Sequence, residues 1–406
     1  MRVALITTSD SSGGAAIAAM RMADALESIG HSVSILVLIK KRSDDRVHKV
    51  SSKGDKEIFI LQAIQYQFEK RILVRSNYQF SGDPWLGNNI ANHQTVLNAD
   101  VIQFHWINHG FLSIHNLKAI FSLKKPVFWH MHDYWPFTGG CHYPSSCERF
   151  KIGCGNCPAL TFSSSSDRSS RYFNQKIELF QINKPTLVGA SLWLSEEAKK
   201  SKLGRWARVV HIPNPIDIKF YQNTNTKDLR AELGIPIAAK VVLFAAMNVN
   251  DVRKGFLELL KALQILKNKT GHLIHVLVAG KVNTSLDLPF QTHYLGFANQ
   301  SRMLSAYKAA DVFVIPSLEE NLPNTILESL ACGTPVAGFK VGGIPELVTE
   351  RSGFLADYKD VQQLADCIEN SLNIKSTGRF DCNLERFSYI EVAETYDKLF
   401  RETANV

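Results

Sequence analysis

Val312-Phe313-Val314-Ile315-Pro316-Ser317-Leu318-Glu319-Glu320-Asn321-Leu322-Pro323-Asn324-Thr325-Ile326-Leu327-Glu328-Ser329-Leu330-Ala331-Cys332-Gly333-Thr334-Pro335-Val336 is the stretch on which the fold turns. It opens with four apolar residues, Val312–Ile315, stopped by a proline, which read as a short strand. A polar loop carrying Glu320 follows. Residues 324–332 then read as a helix with Asn324 as its expected N-cap. The run 335–339 reads as a second strand. Strand, helix and strand in that order is the unit of a parallel sheet covered by helices.

The same alternation extends in both directions. In the first half, strands are expected at 2–7, 32–39, 101–104, 127–130 and 186–190, with a clear helix at 15–28 ending at the C-cap glycine Gly30. Near 209–217 the pattern breaks, because Pro213 and Pro215 flank Asn214 and such a segment cannot be helix interior. It then restarts with strands at 241–246, 273–279 and 293–297 and helices at 255–267, 302–310 and 361–372. Two α/β halves therefore meet near residue 213. A last helix at 389–401 puts Ile390, Ala393, Tyr396, Leu399 and Phe400 on one side and needs an apolar surface to cover.

At 406 residues the chain suits two or three domains of about 150 residues each. It is 45% hydrophobic and 21% charged, which excludes wholesale disorder, and no periodic repeat points to a solenoid or coiled coil. No apolar run approaches the roughly 20 residues of a membrane span. The opening apolar stretch is too short for an export signal and reads as a buried strand, so the cytoplasm is the expected compartment. The formal charge of +8 admits nucleic acid, anionic lipid or phosphorylated ligands. Without an arginine-rich tail or an aromatic RNA-binding signature, nucleic acid is the weakest of these. Lys40-Lys41-Arg42 and the segment 59–68, with Phe59, Leu61, Ile64 and Phe68 at helical spacing, are candidates for peripheral contact with an anionic membrane. A core-facing helix is the expected reading of the latter. The serine-rich run 163–170 is expected to be a surface loop.

Several groups could carry chemistry. Gly13 and Gly14 follow the first strand and open the first helix, where backbone N–H groups can approach an anion or a sugar. Glu320 lies in a loop leaving a strand, and Glu328 lies eight residues on, inside the next helix; such a site offers amides for a phosphate and two carboxylates for sugar hydroxyls. His132 ends the apolar strand 127–130, and His105 and His109 follow the strand 101–104, positions that border the crevice of an α/β sheet. Asp133 and Tyr134 adjoin His132. No G-x-G-x-x-G, Walker lysine or Asp-x-Asp motif is present, so neither a nicotinamide fold nor a metal-clamped donor is expected.

The Glu320…Glu328 pair, followed by Ala331-Cys332-Gly333-Thr334-Pro335-Val336, by Gly342-Gly343-Ile344-Pro345-Glu346 and by Gly353-Phe354-Leu355, resembles the retaining glycosyltransferases of family 4. The resemblance is densest over 311–357. It implies the GT-B fold: two Rossmann-like α/β domains facing across a cleft, with a C-terminal helix crossing back to the N-terminal domain. The implied boundaries are 1–212 for an acceptor-binding domain, including a Cys-rich insert at 139–160, then 213–386 for a nucleotide-sugar domain and 387–406 for the crossover helix. The implied catalytic residues are Glu320, His132 and Lys254. The implied donor contacts are Gly13, Gly14, Arg253, Lys254, Glu320, Asn321, Leu322, Thr325, Glu328 and Gly343, with Glu328 on the ribose. His105, His109, Asp133 and Tyr134 are the implied acceptor contacts. The family often has an arginine after the first strand of its second domain, where this chain has Met247-Asn248.

The activity so implied is transfer of a sugar from a nucleotide-diphosphate donor to a growing, lipid-linked glycan in cell-surface polysaccharide or lipopolysaccharide synthesis, with no catalytic cofactor. A nucleotide-sugar epimerase of the same fold and a non-catalytic binding module are the alternatives. Separately, Cys141, Cys147, Cys154 and Cys157 fall in one short window with x5, x6 and x2 spacings, which suits structural zinc with His142 as a spare ligand. Disulfides, an iron–sulfur cluster or four free thiols remain alternatives.

Overall fold

The computed structural model describes residues 1–50, 55–75, 78–84, 87–282, 287–374 and 380–404. Two compact units emerge. The first comprises Met1–Pro215 together with Tyr389–Val406, and the second is Ile216–Ser388.

The first unit is built on a seven-stranded sheet in the order β3-β2-β1-β4-β5-β6-β7, every pair parallel. The strands are β1 (Arg2–Ser9), β2 (Ser32–Ile39), β3 (Val47–Lys49), β4 (Val101–Phe104), β5 (Val127–Met131), β6 (Thr186–Gly189) and β7 (Arg208–His211). Because side chains alternate along a strand, β1 feeds two cores. Ala4 and Ile6 join the cluster of Phe104, Trp129 and Phe180, while Val3 and Leu5 join that of the helix Gly14–Ser28 and the last helix, Tyr389–Ala404. This returning helix buries Val392, Ala393, Tyr396, Leu399 and Phe400. Ile390, expected on the same stripe, is 55% exposed and Val392 replaces it. At 100° per residue Ile390 sits about 120° from the stripe's centre.

Two further expectations are corrected. The serine run 163–170 is not all loop, since Asp167 caps the helix Arg168–Asn183 by accepting from the Ser170 amide. In the helix Asp55–Phe68 the residues Ile60, Leu61, Ile64 and Phe68 are exposed, as is Ile72 in the turn Glu69–Leu73 that follows, so this face does not point into the core. Phe59 falls outside the described side chains.

The second unit carries a six-stranded parallel sheet in the order β10-β9-β8-β11-β12-β13. Its strands are β8 (Lys240–Asn248), β9 (Ile274–Lys281), β10 (Gln291–Gly296), β11 (Val312–Ile315), β12 (Val336–Phe339) and β13 (Gly353–Ala356). In both sheets the chain winds outward one way and then restarts on the other side of its first strand. The switch points lie between β1 and β4 and between β8 and β11, where the loops at the strands' carboxyl ends diverge and leave a crevice.

Candidate functional site

In the second unit the switch point is flanked by two loops, one after β8 and one after β11. The β8 loop ends in the short turn Val252–Lys254 and then Gly255, whose φ of 67° is left-handed. A Cβ there would stand 1.7 Å from the Pro316 carbonyl oxygen, so only glycine lets the two loops touch. The Leu318 amide donates to the Arg253 carbonyl at 2.7 Å and completes the join. Lys254 and Glu320 meet across this seam: Nζ donates to Oε2 at 2.5 Å, with Glu320 nine-tenths buried and Lys254 partly exposed. The Arg253 guanidinium pairs with Asp251 at 2.6 Å.

Glu320 leads through Asn321 and Leu322, both buried, into the helix Asn324–Ala331. Its N-cap is Pro323 rather than the expected Asn324, and no side chain caps it. Proline holds the extended φ that a cap residue needs, so Asn324 is drawn into the first turn. Thr325, one residue on, belongs to the same turn. The positive end of this helix therefore opens beside Glu320. One turn further, the Glu328 carboxylate is buried and accepts from the Tyr307 hydroxyl at 2.9 Å. Burial, followed by the Glu328 charge, raises the Tyr307 pKa well above its usual value, so it stays a neutral donor. The Gly343 amide donates to the Asn321 carbonyl at 2.8 Å and closes the loop from the β12 side.

In the first unit Gly13 has φ of 89° and begins the helix Gly14–Ser28 with no capping side chain. The end of β1 and the loop after β4 are joined by the Thr8 amide donating to the Trp106 carbonyl at 2.7 Å. Around them stands a histidine group. His130 is fully buried, with Nδ1 2.6 Å from the Tyr396 hydroxyl and Nε2 2.9 Å from Asn214 Oδ1. Burial pushes its pKa down to about 4, so it is neutral and braces β5 to the returning helix. His105 Nδ1 lies 2.9 Å from His132 Nε2, and His132 is pushed down to about 3 by burial and by His130. His132 is therefore a neutral hydrogen-bonding group near pH 7. His109 is exposed and lies edge-on to Trp106.

Asp133 and Tyr134 are both turned inward. The Asp133 carboxylate accepts from Trp106 Nε1 at 3.0 Å, from His142 Nδ1 at 2.7 Å and from the Trp135 amide at 2.8 Å. Burial alone would raise its pKa, but His142 and these donors hold it below the usual carboxylate value. His142 Nε2 in turn lies 2.7 Å from the Ser81 hydroxyl. The Tyr134 ring packs against Phe137, Phe150 and Trp193 and is 5% exposed, so it serves the core instead of presenting a face to an acceptor.

The four clustered cysteines form no disulfide, and Cys141 donates to Cys157. Both His142 nitrogens are occupied, which corrects its role as a spare ligand. Among the described residues, no group of three or more histidine, cysteine, aspartate or glutamate side chains is drawn together tightly enough to hold a metal as it stands. Two residues that sequence reasoning passed over matter here. Tyr307 carries no motif. Lys176 does leave a trace, because it interrupts an apolar stripe formed by Phe173, Leu179 and Phe180. It is 1% exposed, donating to the Trp135 and Thr138 carbonyls at 2.5 and 3.0 Å.

Residues 239–373 match the family model of the glycosyl transferases group 1. The D-inositol 3-phosphate glycosyltransferase of Mycolicibacterium smegmatis is 27% identical over 302 residues, covering 68% of this chain and 64% of the relative. A GDP-mannose-dependent monoacylated alpha-(1-6)-phosphatidylinositol monomannoside mannosyltransferase of Corynebacterium glutamicum is 28% identical over 186 residues, covering 42% of this chain and 48% of the relative. The chain thus spans less than two thirds of the length of these curated relatives. Among solved structures, HepE of Anabaena in complex with UDP-glucose aligns over 99% of this chain and 100% of its own, with a TM-score of 0.63 at 16% identity. That likeness establishes the GT-B fold. The family model and the named relatives are glycosyltransferases.

Proposed function

We propose that this chain is a retaining glycosyltransferase that binds a nucleotide-diphosphate sugar in its second unit and moves the sugar to a glycan acceptor bound by its first. The observation that carries the reading is the seam at the β8/β11 switch point. There Lys254 and Glu320 form an ion pair beside an uncapped helix start, and Glu328 is held one turn deeper by Tyr307. Fixed cations and helix amides of this kind absorb the charge that grows on a leaving diphosphate. Glu328 is suited to accept the ribose hydroxyls, Glu320 to hold a sugar hydroxyl, and Lys254 with Arg253 to meet the diphosphate. Amides of Asn321, Leu322 and Thr325, together with Gly343, line the same place, and Gly13 and Gly14 remain the donor-binding candidates of the first unit.

In the proposed mechanism the acceptor hydroxyl attacks the anomeric carbon from the face the diphosphate leaves, and a diphosphate oxygen takes its proton. Configuration is retained, and no protein base is required. His132, neutral by virtue of its burial, holds a donor-sugar hydroxyl without acting as an acid. His105 and His109 remain the acceptor candidates of the first unit. The second unit, Ile216–Ser388, is the nucleotide-sugar domain.

The acceptor is proposed to be a lipid-linked glycan of a cell-surface polysaccharide, handled at the cytoplasmic face of the membrane. Two relatives carry inositol phosphate and a phosphatidylinositol mannoside in their names, which favours a phosphorylated or lipid-linked acceptor. The exposed face of Ile60, Leu61, Ile64, Phe68 and Ile72, flanked by Lys70 and Arg71, favours peripheral contact with an anionic bilayer. A panel of nucleotide sugars, beginning with UDP-glucose, tests the reading: transfer with retained anomeric configuration supports it. Interconversion of donors without an acceptor, or binding without either reaction, overturns it.

A further inference from the structure

We propose that Cys141, Cys147, Cys154 and Cys157 form a tetrathiolate zinc site that staples the loop following β5. The first support is convergence. All four cysteines line a single cavity of about 20 Å³, bordered also by Arg149 and Phe150. A water-sized particle needs about 10–15 Å³, so the space suits one small ion.

The second support is the turn that presents the C-x2-C pair. Cys154, Gly155 and Asn156 have φ of 40°, 97° and 45°, a left-handed run in which the two non-glycine residues each cost about 1–2 kcal/mol. The run brings thiols three residues apart to the same cavity, as a metal-binding turn must. It is pinned from behind: the Gly155 amide donates to Ser169 Oγ at 2.9 Å and the Cys157 amide to Asp167 Oδ2 at 2.8 Å. The Gly139 amide donates to Cys154 Sγ at 3.3 Å, the kind of contact that supports a metal-bound thiolate.

The third support is a cation buried close to the thiols. Lys176 buries an ammonium held by two carbonyl oxygens and by the face of Trp135, 3.5 Å from its centroid. Burial disfavours its charged form, which Cys154, Asp133 and Asp83 favour in turn. Thr138, whose carbonyl it holds, itself lines the cysteine cavity. Zinc binding releases four protons, Zn²⁺ + 4 Cys-SH giving [Zn(Cys-S)₄]²⁻ + 4 H⁺, and the dianion would lie beside Arg149, which lines the cavity. No carboxylate or imidazole lines the cavity, so the donor set is all sulfur and selects a thiophilic ion.

As placed, Cys141 donates to Cys157 as one thiol to another, and coordination replaces that contact by drawing the sulfurs in to about 2.3 Å from the metal. The staple would hold the segment that supplies His142, and through it Asp133 and Ser81.

Metal analysis of the full chain purified without chelator is expected to give about one zinc per chain, released by a thiol-blocking mercurial and counted with a chelating dye. Cys154→Ser/Cys157→Ser is expected to contain none. If that variant does not fold, Cys147→Ser should retain zinc but lose it faster to a chelator, and cobalt(II) loaded into the wild-type chain should show thiolate-to-cobalt charge-transfer and tetrahedral absorption bands. Iron in place of zinc overturns the proposal, as does a Cys141–Cys157 disulfide or metal-free protein with four thiols open to alkylation. None of these readouts uses sugar transfer, so each stands whether or not the glycosyltransferase reading does.

Discussion

Replacing Lys254 or Glu320 should move nucleoside-diphosphate affinity in opposite directions. The ammonium sits 2.5 Å from the carboxylate, with side chains 29% and 11% exposed. An ammonium has three donors, so Lys254 can keep Glu320 and still meet a phosphate oxygen. Nothing then has to be broken on binding, and Lys254→Ala loses the whole charge-assisted contact. At about 1.5–3 kcal/mol this is roughly a 10- to 150-fold loss of affinity for the diphosphate, with the free nucleoside little affected. Glu320→Gln removes a carboxylate facing the same phosphates. A partly exposed charge pair is worth on the order of 1 kcal/mol, so the diphosphate should bind about fivefold tighter while turnover with the full donor falls. Titration calorimetry with a nucleoside and its diphosphate, on both variants, reads these numbers. Equal losses for the two ligands in Lys254→Ala, or a Glu320→Gln variant that loses diphosphate affinity as Lys254→Ala does, would refute the placement of the phosphates at this seam.

The other predictions concern what holds the site. Glu328→Ala should abolish transfer, and Tyr307→Phe, which removes one buried donor from Glu328, should weaken donor binding by about 0.5–1.5 kcal/mol, or two- to twelvefold; full affinity in Tyr307→Phe would detach Glu328 from the donor. Gly255→Ala forces a Cβ against the Pro316 carbonyl at a left-handed φ, so its urea midpoint and diphosphate affinity should fall together; an unchanged midpoint counts against the seam. Because His130 titrates at about 4 when folded and near 6.5 when unfolded, the unfolded chain binds more protons between those values. Stability should be complete above pH 6.5 and fall by about 2 kcal/mol from this residue alone by pH 5; equal urea midpoints at pH 7 and 5 would mean that His130 is not buried neutral.

The parts of this molecule that a sequence reader can see are those where local pattern and global position agree. Val312–Ile315 is apolar throughout because β11 is central in its sheet, with β8 on one side and β12 on the other, and its reading as a strand coincides with the element. The strands β3, β7 and β13 have no such signal. Each is three or four residues long and sits at a sheet edge, where one flank meets no partner strand; β7 has no buried residue at all. Spacing carried Glu320 and Glu328 to the β11 loop and its helix, since eight residues of chain cannot stray far. It could not show that Tyr307, on the preceding helix, grips one carboxylate, or that Lys254 grips the other across sixty-six positions. Those contacts exist only because the β8/β11 switch point brings two distant loops side by side. The same limit explains Asp133 and Tyr134. The resemblance implied acceptor contacts for both, but the strand ends at Met131 and the chain turns inward. His142 and three aromatic rings then claim both side chains. Chain neighbours thus stay close through a turn, but which way they face is decided by partners elsewhere in the sequence.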